Sequence, residues 1–505
     1  MAAAIVAHHR DAPEIAQLYA PPEDDDEEDQ IATQMAEFDL PTVQKLWRWL
    51  AECGTAWSID LGLDKLGVQP LIVIPEGKAV THLKQHGTKR IYQWLKSYRK
   101  FVNELQQSKN RELIIGTITL RGYLINADHS ASAHAKKLPR VNFSREQILS
   151  STQLQMDRLF AHQRIAGTTT GSALLVAPTG SGKTEAALLW VAQQAESTRS
   201  LPRLFYTLPY QASMNSMKLR LEPTFGKDEV NLQHGRGLLA LYRMLLQRDY
   251  DPKEAARQAK WIRNLGQLNY PPVRVFSPYQ MLKGMYRLSG YEALLSDYHN
   301  AAFIFDEIHA YEPIRLAMIL KTIEYLHQNF NARFLIMSAT FPKLIKTQLI
   351  QMLGSPAEIQ AEATLFAEFQ RHRLMMLDGE LLSEQGLQRI VADARAGKSV
   401  LVVCNLVDRA QEVHRQLLAQ LEKDSIAVEL LHGRFNMRDR GKKEEIIRSA
   451  TGSKSQQRRP IVLVATQAVE VSLDIDLDTI YTDPAPLEAL VQRFGRINRR
   501  RKQVG

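Results

Sequence analysis

The stretch LLVAPTGSGKTEAALLW at 174–190 constrains this chain more than any other. An apolar run breaks at proline and glycine, and a helical pattern resumes at lysine. A chain that turns this tightly from strand into helix presents a row of backbone N–H groups at the helix N-terminus, which is a cradle for phosphate. Thr179, Gly180, Ser181 and Gly182 form the cradle. Lys183 places a cation on the β- and γ-phosphates, and the Thr184 hydroxyl can hold Mg²⁺. The chain therefore has to contain a parallel sheet with a nucleotide at one strand end.

The surrounding sequence agrees. Between 146 and 375 short apolar runs (SALLVAP, RLFYTLP, VRVFSP, AAFIFDE, ARFLIMSAT) alternate with helical patterns. Runs of that length, spaced by helices, predict a parallel sheet covered on both faces. Residues 376–505 repeat the style with SVLVVCN, AVELLHG, IVLVATQ and TIYTD. The expected architecture is α/β: two tandem RecA-like parallel-sheet lobes. Residues 1–145 read as mostly helical, because LPTVQKLWRWLAECG and KRIYQWLKSYRKFVNELQQ carry apolar residues at helical spacing.

The length of 505 residues allows two to four domains. The two cysteines, Cys53 and Cys404, lie far apart, which fits a reducing cytoplasm and excludes a disulfide scaffold. No apolar run is long enough for a membrane span, and the first residues do not read as a signal peptide. The net charge is +9, and without the seven acids of EDDDEED at 23–29 the remainder carries +16. A basic excess of that size suits a polyanion. The acidic run itself, after two prolines, reads as a solvated loop.

Three further segments complete the phosphate chemistry. DEIHAY at 306–311 ends the apolar run AAFIF. In a phosphate-loop fold a strand-end acid holds the Mg²⁺ of the nucleotide, so Asp306 is the metal-side carboxylate. Glu307 beside it can act as general base on the attacking water. LVQRFGRINRR at 490–500 places Arg496 and Arg499 three apart, on one side if the stretch is helical. Their guanidinium groups suit charge developing on a γ-phosphate, and Gln492 can orient water or a phosphate oxygen. SATFP at 338–342 puts the hydroxyls of Ser338 and Thr340 just after a strand.

The loop APTGSGKT, with Ala177 where the general pattern has glycine, resembles that of superfamily 2 helicases. That resemblance implies that His309, Ser338 and Thr340 couple hydrolysis to movement, and that Gln163 reads adenine. It also implies a nucleic-acid face made of loops after strands. Gln211, Arg236 and Gln280 stand for the first lobe, and Asn405, Arg434 and Thr466 for the second. Such groups grip phosphates without reading sequence.

LPYQASMNSM, LLHGRF, TQAVEVSLDID and TDPAPLEALVQRFGRINRR together narrow the resemblance to the CRISPR-associated helicase–nucleases of type I systems, over roughly 150–500. This implies ATP-driven translocation on single-stranded DNA after recruitment by a type I surveillance complex. It also implies a metal-dependent HD-type nuclease ahead of the helicase. His8, His9 and Asp128 match its later ligands, for Mn, Fe, Ni or Co. The earlier His-Asp dipeptide has no counterpart in the chain, so the expectation is a partial HD domain at 1–145 and a C-terminally short second lobe. A monomer is the default. Two other readings share the core motifs: an RNA helicase or remodelling ATPase, and a truncated relic that binds nucleic acid without turnover.

Overall fold

The computed structural model describes residues 29–37, 39–60, 74–135, 141–198, 203–248, 250–267, 269–370, 372–452, 455–470 and 475–499. The chain divides into two compact units, residues 1–128 and 129–505.

In the first unit the described residues are helical: α1 (Gln30–Ala36), α2 (Leu40–Asp60), α3 (Glu76–Gln107) and α4 (Arg111–Ser132), the last running past the division. Asp29, the last acid of the acidic run, caps α1 by accepting from the Ala32 N–H at 2.8 Å, and also accepts from the Tyr92 hydroxyl at 2.6 Å. Ile31, Leu95, Tyr98 and Val102 form a small core between α1 and α3. Gly87 lets the two helices approach; a Cβ there would lie 2.5 Å from the Met35 methyl.

In the second unit seven parallel strands lie in the order β3-β4-β2-β5-β6-β1-β7. They are β1 (Ala173–Val176), β2 (Leu204–Thr207), β3 (Val230–Gln233), β4 (Val273–Phe276), β5 (Ala302–Asp306), β6 (Arg333–Ser338) and β7 (Ala357–Gln360). A second parallel sheet has the order β11-β8-β10-β9, from β8 (Val400–Val403), β9 (Ala427–Leu431), β10 (Ile461–Ala465) and β11 (Thr479–Thr482). The α/β expectation holds, with β3 and β7 added to the strands foreseen.

The central strands are apolar on both faces because helices cover both. On one face Phe205, Phe303 and Phe334 stack ring on ring across β2, β5 and β6, at 4.7 and 5.0 Å between centroids. The same layer buries Arg274, whose guanidinium lies 5.1 Å from the Phe205 ring and pairs with Asp297. On the other face Trp190, inside the helix α5 (Lys183–Thr198), is fully buried and donates its indole N–H to the Gly171 carbonyl at 2.9 Å.

The register places the chemistry. β5, β6 and β1 are neighbours, and Val176 pairs with Ser338 while Asp306 pairs with Met337. The loops after all three strands therefore open at one edge of the sheet, where ligands of parallel α/β sheets gather. Between the sheets the chain runs from the helix Ala363–Glu368 to the helix Glu384–Arg395 without a regular element among its described residues. Leu374, Met375, Met376 and Leu377 are all exposed there.

Candidate active site at the end of the central strands

The phosphate loop leaves β1 at Ala177 and enters α5 at Lys183. Gly180 and Gly182 have φ of +88° and +81°, a region that side chains disfavour. At Gly182 space is equally decisive: a Cβ would sit 2.2 Å from Gln163 Nε2. Gln163 is buried; its Oε1 accepts from the Phe160 N–H at 3.0 Å and its Nε2 reaches the Gly182 carbonyl at 3.3 Å. Its carboxamide is thus tied to the phosphate loop itself. His162, which sequence reasoning passed over, holds the Ser181 carbonyl at 3.1 Å, and the Ser181 hydroxyl donates to the Pro178 carbonyl at 2.8 Å. Burial pushes the His162 imidazole below its usual range, so it serves as a neutral prop.

Lys183 is 9% exposed and donates to the Ala177 carbonyl at 3.1 Å. Its ammonium lies 4.0 Å from Glu307 Oε1. Asp306, at the end of β5, accepts from the Tyr206 hydroxyl at 3.3 Å through Oδ2. Its Oδ1 is buried and has no hydrogen-bond partner among the described residues. Burial, and next the charge of Glu307, push the Asp306 carboxyl up to about 7, against the pull of Lys183. The Thr184 side chain neighbours the Tyr206 phenol, which brings together the two side chains expected to hold Mg²⁺. A buried carboxylate oxygen without a donor, beside a threonine hydroxyl and an ammonium, fits a divalent cation with hard oxygen ligands.

Glu307 stands in the left-handed region at φ +55°. This conformation turns its carboxylate out of the strand, where it is about a third exposed. His309 Nε2 lies 3.5 Å from Glu307 Oε2. His309 Nδ1 is 2.9 Å from the Ser338 hydroxyl, which donates to the Thr340 carbonyl at 2.7 Å. The structure thus links DEIH to SAT through side chains. It also adds Arg220, which pairs with Glu185 of α5.

The second lobe approaches the first in this cleft at Gln492, whose side chain lies near the Tyr210 hydroxyl. The helix α6 (Leu487–Phe494) ends before Arg496. The 496–499 stretch is therefore not helical, and Ile497 pairs instead with Leu477. Arg496 Nη2 donates to the Glu470 carbonyl at 2.6 Å, and Arg499 Nε to the Gly495 carbonyl at 2.7 Å. The arginine that sequence reasoning missed is Arg493. It is almost fully buried and donates to Glu470 Oε1 at 2.8 Å, Thr482 Oγ1 at 2.7 Å and Asn405 Oδ1 at 2.9 Å.

The six residues expected on the nucleic-acid face divide. Gln211, Arg236 and Arg434 are exposed and Gln280 is half-buried; Arg434 pairs with the exposed Asp408 at 2.7 Å. Asn405 is exposed too, but its carboxamide is engaged, donating to the Pro484 carbonyl at 2.7 Å and accepting from Arg493. Thr466 is almost wholly buried, so in this conformation it offers no phosphate contact. His8 and His9 lie outside the described residues, and Asp128 sits near the end of α4. Among the described residues no three His, Cys, Asp or Glu side chains are grouped to hold a metal. No described helix is long and apolar enough to cross a membrane.

The chain is similar in sequence and in fold to known proteins. Residues 160–347 match the DEAD/DEAH box helicase family, and residues 396–502 match the C-terminal region of the CRISPR-associated nuclease/helicase Cas3. The CRISPR-associated nuclease/helicase Cas3 of Methanothermobacter thermautotrophicus is 29% identical over 341 residues, covering 65% of this chain and 38% of that protein. The CRISPR-associated endonuclease/helicase Cas3 of Escherichia coli is 28% identical over 370 residues, covering 66% and 41%. The chain thus spans less than half the length of these relatives. The crystal structure of T. fusca Cas3-AMPPNP is similar in fold, with a TM-score of 0.57 at 22% identity, over 75% of this chain and 47% of that one.

Proposed function

We propose, on the premise that the chain belongs to the CRISPR-associated helicase–nucleases of type I systems, that it hydrolyses ATP to move along single-stranded DNA in CRISPR interference. One observation carries the nucleotide chemistry: the buried Asp306 Oδ1 lacks a partner among the described residues, at a strand end near Lys183 and Thr184.

In this reading Thr179, Gly180, Ser181, Gly182 and Lys183 seat the phosphates, with Gln163 bracing the loop and the base. Thr184 and Asp306 would hold Mg²⁺, which would offset phosphate charge. Glu307 accepts the proton of the attacking water, held in place by His309 and Ser338. Because Ser338 is also tied to Thr340, a change at the phosphate end is passed to the loop after β6. Gln492, Arg496 and Arg499 come from the second lobe, so full assembly requires nucleotide in the cleft. The domain boundaries that go with it are 146–375 and 376–505 for the lobes, with residues 1–145 as the partial HD-type region. A transition metal at His8, His9 and Asp128 belongs to that region. The partner is a type I surveillance complex on its target, and the compartment is the cytoplasm.

The test is ATP hydrolysis by the purified chain with no nucleic acid, with single-stranded DNA and with single-stranded RNA, beside Glu307→Gln. DNA stimulation that vanishes in the variant is the expected result. Preference for RNA would move the chain to an RNA helicase, and binding of DNA without turnover would make it a relic.

A further inference from the structure

The geometry points to a base-stacking shelf for single-stranded nucleic acid on the first lobe, formed by the helix Tyr279–Met285 and the helix Pro313–Phe330. Tyr279 and Tyr286 are 38% and 61% exposed. They are seven residues apart, and the Tyr286 N–H still donates to the Leu282 carbonyl at 2.9 Å, so both rings lie on one side of the helix. Their separation is about 10 Å by helical rise, a spacing that one or two stretched nucleotides can span.

Each ring is braced rather than loose. Tyr279 meets the buried Tyr311 edge to face at 6.3 Å, and the Arg315 guanidinium lies 5.8 Å from its centroid. The Tyr286 hydroxyl reaches Met318 Sδ at 3.4 Å. Braced aromatics lose little freedom when a base stacks on them, and every base has a face to offer.

The charge around the rings selects the occupant. Lys283, Arg287 and Arg315 are exposed on the same two helix segments, and Glu312 lies 3.3 Å from Arg315. Three cations interleaved with two flat rings suit a chain of phosphates and bases. A protein interface of this composition would be depleted in such charges at its centre. The shelf also continues the loop after β4, since Tyr279 directly precedes Gln280. The proposal rests on the nucleic-acid reading above and gives it a second binding chemistry, stacking, beside the phosphate grip.

The experiment measures binding of the full chain to a single-stranded oligothymidylate and to an abasic oligonucleotide of equal length. Tyr286→Ala should weaken oligothymidylate binding about ten-fold, leave abasic binding as in wild type, and leave the melting temperature unchanged. Tyr286→Phe should bind as wild type. Lys283→Ala with Arg287→Ala should weaken both ligands and lower the slope of log affinity against log salt by roughly 0.7 per lost phosphate contact. If wild type binds oligothymidylate and Tyr286→Ala binds it equally well, the shelf is refuted while the motor reading stands. If the folded wild type binds neither ligand, the nucleic-acid reading fails and the shelf with it.

Discussion

Asp306 has one oxygen held by Tyr206 and one held by nothing described, and that asymmetry has a measurable sign. Its pKa is raised in the folded chain, so the folded state keeps a proton that the unfolded state gives up near the ordinary carboxyl value of 3.8. Stability without metal therefore declines as pH rises from about 4 towards about 7. Asp306→Asn removes the buried charge. In EDTA it should melt above wild type at pH 8 and at the same temperature at pH 4, while ATP turnover is lost. Lys183→Ala removes the cation aimed at the phosphates and should lower turnover at least about 100-fold with the fold retained by circular dichroism. Cys404 is fully buried and its thiol is pushed up to about 12, chiefly by burial. A thiol reagent at pH 8 should therefore label the half-buried Cys53 and leave Cys404 until the chain unfolds.

At the scale of elements, Arg493 does what no single strand or helix can. It ties α6 to the end of β11 and to the loop after β8, through Glu470, Thr482 and Asn405. Removing one partner of a buried charge network leaves the rest uncompensated. Arg493→Ala should destabilise the second lobe by about 3–5 kcal/mol, read as an early unfolding transition in urea. Fully buried strands were plain in the sequence because continuous apolar runs such as AAFIF and IVLVA have no solvent face to alternate with. β3 and β7 were not, since VNLQ and AEIQ sit at the sheet's margins and carry polar residues, with only Ile359 of β7 buried. The phosphate loop and DEIH were legible because their chemistry is contiguous along the chain. Tyr206 was hidden because its partner lies 100 residues away, and Arg493 because a buried arginine and an exposed one look alike in sequence. The break of the helix at Gly495 was likewise missed, and it is what sends Arg496 to a backbone carbonyl.

At the scale of the whole molecule, the two sheets that the proposed function sets to work on one nucleotide are joined by a short irregular connection. Met376 is 88% exposed there, and its neighbours Leu374 and Met375 are also in solvent. Chymotrypsin should cut first within 374–377, giving two fragments that mass spectrometry can place. The connection is fastened at points to the second lobe: His372 touches the Ile497 carbonyl at 3.2 Å, and Glu380 pairs with Arg409 at 3.2 Å. A tether of this length fixes the effective concentration of one lobe near the other, on the order of millimolar. Cutting it would not alter a single contact in the cleft. It would, however, turn a unimolecular closure into an encounter between two solutes, so a nicked chain at micromolar concentration should behave like a machine diluted about a thousand-fold.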